Sequence, residues 1–329
     1  MVVSTKEIDH INAIIIKELL IDGRSNFTEI AKECNVSTSV IQKRYRELKN
    51  AGIIVGATVQ LDYPSFGYNA VGNILFKVEP QQADQIVEYV KKIPNIHAAW
   101  RTARTSEINA VATMESLEKL ENIKESIRKI PSVLEMRTYI WTGIRNIREN
   151  LAITSLEMPN KMNTTNLNVT NKSRRMESKT DQTDKRIIEK LAVNGRISFR
   201  KLARELAIST DTVARRYEKL KRSGAIKVLI QLDTVKIGYH GYATFYIAFV
   251  SQSSLISMVE NLCKIPDIVL IIQTSGSFDL LVEAMIKDLD QLLFLQDNIA
   301  NMPGVARNEM HLCRPTAVFP TPREYISTF

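Results

Sequence analysis

Apolar residues recur at spacings of three and four near the start of the chain: Ile8, Ile11, Ile15 and Leu19 make the stripe of an amphipathic helix. The turn Asp22-Gly23-Arg24 ends it. Asn26, with Glu29 three residues on, approximates a capping box for a second, short helix whose apolar side is Ile30, Ala31 and Cys34. Ser37 is placed to cap a third helix reaching Asn50, with Ile41, Tyr45 and Leu48 inward and Gly52 just beyond the end. The periodicity then changes. A β-rich stretch at 53–61, fit for a wing or hinge, leads to a turn at Gly67. Beyond it the pattern predicts strand 70–78, helix 83–93, strands 96–102 and 108–114, helix 117–130 and strand 133–141, with Pro94 and Pro131 as helix stops. The order β-α-β-β-α-β is the split βαβ of a ferredoxin-like sandwich, an antiparallel sheet with two helices on one face.

The whole arrangement occurs twice. A shift of 172 residues lays Gly23-Arg24 on Gly195-Arg196, Phe27 on Phe199, Ala31 on Ala203, Arg44-Tyr45 on Arg216-Tyr217 and Gly52 on Gly224. After a slip of one residue Gln60-Leu61-Asp62 meets Gln231-Leu232-Asp233, and the original shift returns for Thr102 with Thr274 and Pro131 with Pro303. This is a tandem duplication. The expected class is α+β, with a helix-turn-helix domain at 1–60, a ferredoxin-like domain at 61–150, a linker at 151–180, a second helix-turn-helix at 181–232 and a second ferredoxin-like domain at 233–329. The linker follows from composition: 158–179 is rich in Asn, Thr, Ser and Lys, with little apolar surface to offset the entropy of ordering it. Each sandwich leaves one sheet face bare, and the other copy is the simplest cover, so an intrachain pseudo-dimer is expected.

Charge separates the two copies. The chain carries a net charge of +8, yet the first 150 residues are nearly balanced. Residues 180–232 hold 13 basic against 6 acidic side chains, and 233–329 hold 6 against 10. A concentrated positive excess points to a polyanionic partner. The outward face of the third helix in copy one is Thr38, Ser39, Gln42, Lys43, Arg46 and Lys49; in copy two it is Thr210, Asp211, Ala214, Arg215, Glu218 and Lys221, with Arg216, Lys219 and Arg222 nearby. Hydroxyls, an amide and long cations at a helix N-terminus are what major-groove reading uses. Double-stranded DNA is therefore the expected partner, set against the plainer possibility of a solvated charged face.

Composition removes several other classes. With 44% apolar and 24% charged residues the chain is of ordinary globular type, and no apolar run approaches the roughly 18 residues of a membrane span. Its opening residues have neither a signal-peptide nor a transit-peptide pattern, which favours the cytoplasm. Cys34, Cys263 and Cys313 are far apart and offer no metal or redox pair. There is no phosphate-binding Gly-x-x-x-x-Gly-Lys loop, no nucleophile elbow, and no His-rich cluster among 4 His. No catalytic residue, metal or cofactor is expected.

The chain resembles the Lrp/AsnC family of transcription regulators. The resemblance rests on Asp22-Gly23-Arg24 and Asn194-Gly195-Arg196 after the first helices, on Asp184 in the acidic position where copy one has Asn12, and on Ile30-Ala31 and Leu202-Ala203. It extends to Ser37 and Ser209 opening the recognition helices, Arg44 to Leu48 and Arg216 to Leu220 within them, and the hinges Gly52-Ile53-Ile54 and Gly224-Ala225-Ile226. It implies a regulator with a ligand-responsive domain, in which a Gly-x-Phe/Tyr-Asp turn lies near the site of a small effector, often an amino acid. Copy two has that turn as Gly276-Ser277-Phe278-Asp279 after Thr274-Ser275, whereas copy one reads Arg104-Thr105-Ser106-Glu107. The effector residues so implied are Thr274, Gly276, Ser277, Phe278 and Asp279. The plainer reading is a tight hairpin with a glycine at positive φ and Asp279 bonded to the turn. The family's oligomeric habit leaves room for assembly above the intrachain pair.

Two alternatives stand beside the regulator. Siroheme decarboxylases resemble the same two-domain architecture, and His97, Trp100, Arg101, Tyr239 and His240 would be the candidate porphyrin-handling residues, although no arrangement of them repeats in both copies. An architectural DNA-binding protein of little sequence preference would need backbone charge alone.

Overall fold

In a computed structural model, the described residues are 8–103, 107–153, 168–169, 180–250, 255–315 and 318–320. Copy one opens with α1 (His10–Ile21), α2 (Phe27–Glu33) and α3 (Thr38–Asn50), then β1 (Ile54–Leu61). Its sandwich follows as β2 (Ala70–Lys77), α4 (Ala83–Val90), β3 (Ile96–Arg101), β4 (Glu107–Met114), α5 (Glu118–Arg128) and β5 (Glu135–Asn146). A two-residue strand, β6 (Asn168–Val169), comes next. Copy two repeats the order with α6 (Gln182–Val193), α7 (Phe199–Leu206), α8 (Thr210–Arg222) and β7 (Ile226–Asp233). Its sandwich is β8 (Gly241–Phe249), α9 (Leu255–Leu262), β9 (Ile268–Ser275), β10 (Leu280–Ile286), α10 (Leu289–Ala300) and β11 (Val305–Cys313), and a last short strand, β12 (Val318–Phe319), pairs with β7.

The caps show why the helices start where they do. Asn26 accepts from the Thr28 amide, but the box with Glu29 expected there does not form. A reciprocal capping box forms instead at Asp181 and Asp184. Here Asp stands at the third helical position in place of the usual Glu or Gln. Ser209 caps α8 by accepting from the Thr212 amide, whereas Ser37 turns its hydroxyl to Ser39.

The two β-rich stretches expected as wings pair with each other. β1 and β7 run antiparallel, with Ala57 opposite Ile230, Val59 opposite Val228 and Leu61 opposite Ile226. The helix-turn-helix cores therefore mix copies. Val59 and Leu61 lie in the core of α6–α8, and Ile230, Leu232, Tyr239 and Met285 lie in the core of α1–α3.

Each sandwich has the strand order of the ferredoxin-like fold, β5-β2-β4-β3 in copy one and β11-β8-β10-β9 in copy two. The copies join edge to edge, β5 on β9, into one sheet of nine strands among the described residues. Ile140 sits opposite Ser275 at that junction. At the other junction the equivalent residues meet, the Ala103 amide donating to the Leu312 carbonyl at 2.6 Å. The sheet thus folds back on itself, with the two copies joined at both edges. Helices α4 and α5 cover one outer face and α9 and α10 the other, while Leu75, Tyr139, Tyr246, Ile272, Phe278 and Leu281 fill the space between the sheets. This is the cover that the bare sheet faces require.

Asn168–Val169, which fall in the expected linker, pair with Gly143 and Ile144. β5 runs on past the last residue that β2 pairs with, Ile140, and this leaves an edge for β6 to occupy. Most of the expected linker and residues 104–106 of the copy-one turn lie outside the described residues. No helix among the described residues is long and apolar enough to cross a membrane.

Candidate nucleic-acid interface and inter-sheet site

On α3, Ser39, Gln42, Lys43, Arg46 and Lys49 are exposed and Thr38 is half-buried. Arg46 folds back to the Gln42 carbonyl at 3.3 Å, and Lys43 stands 4.0 Å from Glu47 on the same helix. On α8, Thr210, Asp211, Arg215, Lys219, Lys221 and Arg222 are exposed. Lys221 reaches across the copies to Asp22 at 2.7 Å, and this contact with the carboxylate raises its ammonium pKa.

Arg216 departs from the expected face. It is half-buried and donates to Asp181 at 2.6 Å and to Asp184 at 2.8 Å. Hydrogen bonds to those two carboxylates hold its own pKa up. The cause is helical phase: Arg216 is next to the buried Tyr217 and faces the start of α6. Copy one repeats the device with Arg44, which contacts Asp9 at 2.5 Å and Asn12 at 3.3 Å. The acidic position of α6 is therefore a clamp on the recognition helix.

The turns Asp22-Gly23-Arg24 and Asn194-Gly195-Arg196 do what spacing alone could not show. Arg24 donates from Nε to the Gly195 carbonyl at 2.8 Å and from Nη2 to that of Ile197. Its guanidinium lies 4.6 Å from the Phe199 ring centroid and 5.2 Å from that of Tyr217. Arg196 answers by donating to the Gly23 carbonyl and by lying 5.0 Å from both Phe27 and Tyr45. Each arginine thus stacks on the helix-turn-helix core of the other copy. Burial lowers the pKa of Arg24. The glycines allow the approach: a Cβ at Gly23 would stand 2.8 Å from the Leu229 carbonyl carbon, and one at Gly195 would stand 2.9 Å from the Thr58 carbonyl oxygen.

In copy two the 276–279 turn sits at the seam between the sheets. Thr274 donates through Oγ1 to the Phe278 carbonyl at 2.7 Å, and Asp279 accepts from the Phe249 amide at 2.8 Å, which pins the hairpin to β8. Phe278 is buried against Tyr139 and Tyr246, with Arg307 lying 4.5 Å over its ring and donating to the Ser277 carbonyl at 2.9 Å. A Cβ on Gly276 would come within 3.0 Å of the Tyr139 ring, so close approach is what calls for glycine here. Gly276 and Ser277 are exposed, and the Ser277 hydroxyl is 3.4 Å from that of Tyr139 in the other copy.

The residues considered for porphyrin handling are scattered. His97 bonds to Thr113 between the rings of Tyr63 and Tyr68, Arg101 pairs with Asp84, Tyr239 is buried on Asp267, and His240 is exposed elsewhere. Trp100 is half-buried on β3. Among the described residues no group of three or more His, Cys, Asp or Glu could hold a metal ion.

Paired helix-turn-helices carried by a joined pair of ferredoxin-like sandwiches make a two-domain architecture present in duplicate. The sequence comparisons agree: models of the AsnC-type helix-turn-helix domain, the Lrp/AsnC ligand binding domain and a winged helix-turn-helix DNA-binding domain match residues 181–221, 245–317 and 8–55. The chain is 31% identical over 126 residues to the HTH-type transcriptional regulator FL11 of Pyrococcus horikoshii, a match spanning 38% of this chain and 83% of FL11. It is 23% identical over 145 residues to LrpA of Mycobacterium tuberculosis, spanning 44% of this chain and 97% of LrpA. The chain belongs to the Lrp/AsnC family, and it holds two helix-turn-helix units in tandem. Among solved structures, the siroheme decarboxylase NirDL aligns over 91% of this chain and 89% of its own, with a TM-score of 0.59 and 14% identity. At that identity the likeness is one of fold.

Proposed function

We propose that this chain regulates transcription by binding duplex DNA through α3 and α8, with copy two as the anchor and copy one as the reader. The observation that carries this is the contrast between two equivalent helices. Exposed Arg215, Lys219 and Arg222 on α8 suit phosphate contact, which supplies affinity without sequence information. Exposed Ser39 and Gln42 on α3 suit base edges. A small effector, of the amino-acid class, acts at the Gly276 to Asp279 hairpin, where Ser277 meets Tyr139 of the other copy. The family assignment and the seam position support this site. The decarboxylase reading has fold likeness behind it, but its candidate residues do not converge.

The test is duplex binding by the full chain, titrated with salt on specific and random DNA. Arg215→Ala weakens binding to all duplexes and reduces the salt slope by about one. Gln42→Ala relaxes preference between sites by about 1 to 3 kcal/mol. Equal losses from equivalent mutations in both copies overturn the division of labour. Absence of salt-dependent duplex binding overturns the regulator, and random DNA competing as well as specific DNA leaves an architectural protein. Asp279→Ala blunts any amino-acid-induced change in binding.

A further inference from the structure

The faces that the two sandwiches turn to each other differ, and the difference is concentrated where they are closest to symmetric. In β5, Arg137 pairs with Leu75 of β2; in β11, Glu309 pairs with Tyr246 of β8. Gly72 opposite Ala112 and Ala243 opposite Ala284 fix the alignment of the copies, which makes Arg137 and Glu309 the same position. Across a two-fold axis a residue meets its own equivalent only at the axis. Arg137 Nη1 lies 3.6 Å from Glu309 Oε2, so this pair marks it.

The neighbours reinforce the asymmetry. Arg137 Nη2 contacts Glu107 Oε1 at 2.7 Å, and the other Glu107 oxygen is 2.9 Å from His311 Nδ1, with Glu107 only 2% and His311 only 3% exposed. His311 stands where copy one has Tyr139. Glu107 stands where copy two has Asp279, whose carboxylate is already engaged by the Phe249 amide.

We infer that this charged cluster makes the two inner faces complementary to each other and not to themselves. Copy one takes copy two as its partner and rejects a second copy one, while copy two rejects a second copy two. A two-to-two pairing would set carboxylate against carboxylate at the axis; a one-to-one pairing would set guanidinium against guanidinium, each with Glu107 of its own copy beside it, so that refusal is the weaker of the two. Ion pairs withdrawn from water add little net stability, but an unmatched charge there is strongly unfavourable, and repulsion of this kind is how an interface refuses the wrong partner. The partner it fits is the complementary half of this same sequence, in its own chain or exchanged reciprocally with a second one.

Charge exchange in the intact chain tests the idea. Amide hydrogen exchange at the β5 to β9 junction is compared in wild type, Arg137→Glu, Glu309→Arg and the double variant, with Glu107→Gln accompanying every Arg137→Glu so that no second carboxylate faces the new one. Each single reversal speeds exchange there by about tenfold or more, and the double variant, which restores opposite charges across the axis, returns to within about threefold of wild type. A single variant that fails to fold while the double folds also supports the inference. For a gentler comparison, Glu309→Gln removes the pair without repulsion and falls between wild type and Glu309→Arg. Singles that exchange like wild type, or a double as damaged as the singles combined, overturn it.

Discussion

Arg24 and Gly195 are 171 positions apart in sequence, and the Arg24 Nε donates to the Gly195 carbonyl at 2.8 Å. With the reciprocal bond from Arg196 to Gly23, the turn of each copy becomes a clasp on the other. Arg24→Ala and Arg196→Ala each remove hydrogen bonds and ring stacking at a half-buried site, at a cost of about 2 kcal/mol apiece. Urea unfolding of the full chain measures it. Loss of either arginine also loosens the facing recognition helix, which hydrogen exchange on α8 or α3 reports separately.

Replacing the neighbouring glycines is expected to be at least as damaging. Gly23→Ala and Gly195→Ala push a methyl into backbone carried by the opposite wing strand, where no flexible side chain can yield, and the cost is about 2 to 3 kcal/mol each. Gly224→Ala is a useful contrast. Its φ of +75° strains any L side chain, but nothing lies within 4 Å of the added methyl, so the penalty is about 1 kcal/mol.

Arg215 and Arg216 are adjacent in sequence and opposite in expected effect. Arg215→Ala leaves the melting temperature near wild type and weakens DNA binding. Arg216→Ala breaks contacts to Asp181 and Asp184, leaves the buried Asp184 carboxylate without its cation, and destabilises α6–α8 by about 2 kcal/mol or more. The pair of thermal melts, read beside the pair of binding curves, separates the roles.

Acid should weaken the inter-sheet cluster. Burial alone would raise the Glu107 carboxyl pKa, but His311 and Arg137 beside it hold the value below the ordinary 4.5. A carboxylate whose folded pKa is depressed stabilises the fold above its unfolded value and loses that contribution as pH falls through the folded one. Glu107→Gln is therefore less stable than wild type near neutrality. Thermal melts show the gap closing below 4.5, as wild type itself becomes protonated.

The repeated helical stripes, proline stops and turn glycines carry enough local information to place both helix-turn-helices and both sandwiches. Local pattern also exposes Gln42 and Arg215 correctly, because a helix face follows from phase. What local pattern lacks is the identity of a distant neighbour. Arg216 reads as one more surface cation until Asp181 and Asp184 are brought beneath it by packing of α6 on α8. Nothing near Arg24 announces the rings of Phe199 and Tyr217, nor does anything near Arg137 announce Glu309. The unequal charge of positions 137 and 309 was present in the duplicated sequence, but its meaning depends on knowing that they meet.

The exchange of β1 and β7 also sets an order of events during synthesis. The core beneath α1 to α3 includes Ile230, Leu232, Tyr239 and Met285, so the first copy leaves the ribosome with part of its interior not yet translated. At 5 to 20 residues per second, the roughly 170 residues separating β1 from β7 take on the order of 10 to 30 s, far longer than a helix or hairpin needs to form. For that interval Ile54 to Leu61 is an unpaired strand with apolar side chains. Chaperone binding to the nascent chain should peak there and fall once β7 emerges, because neither half matures before the other exists.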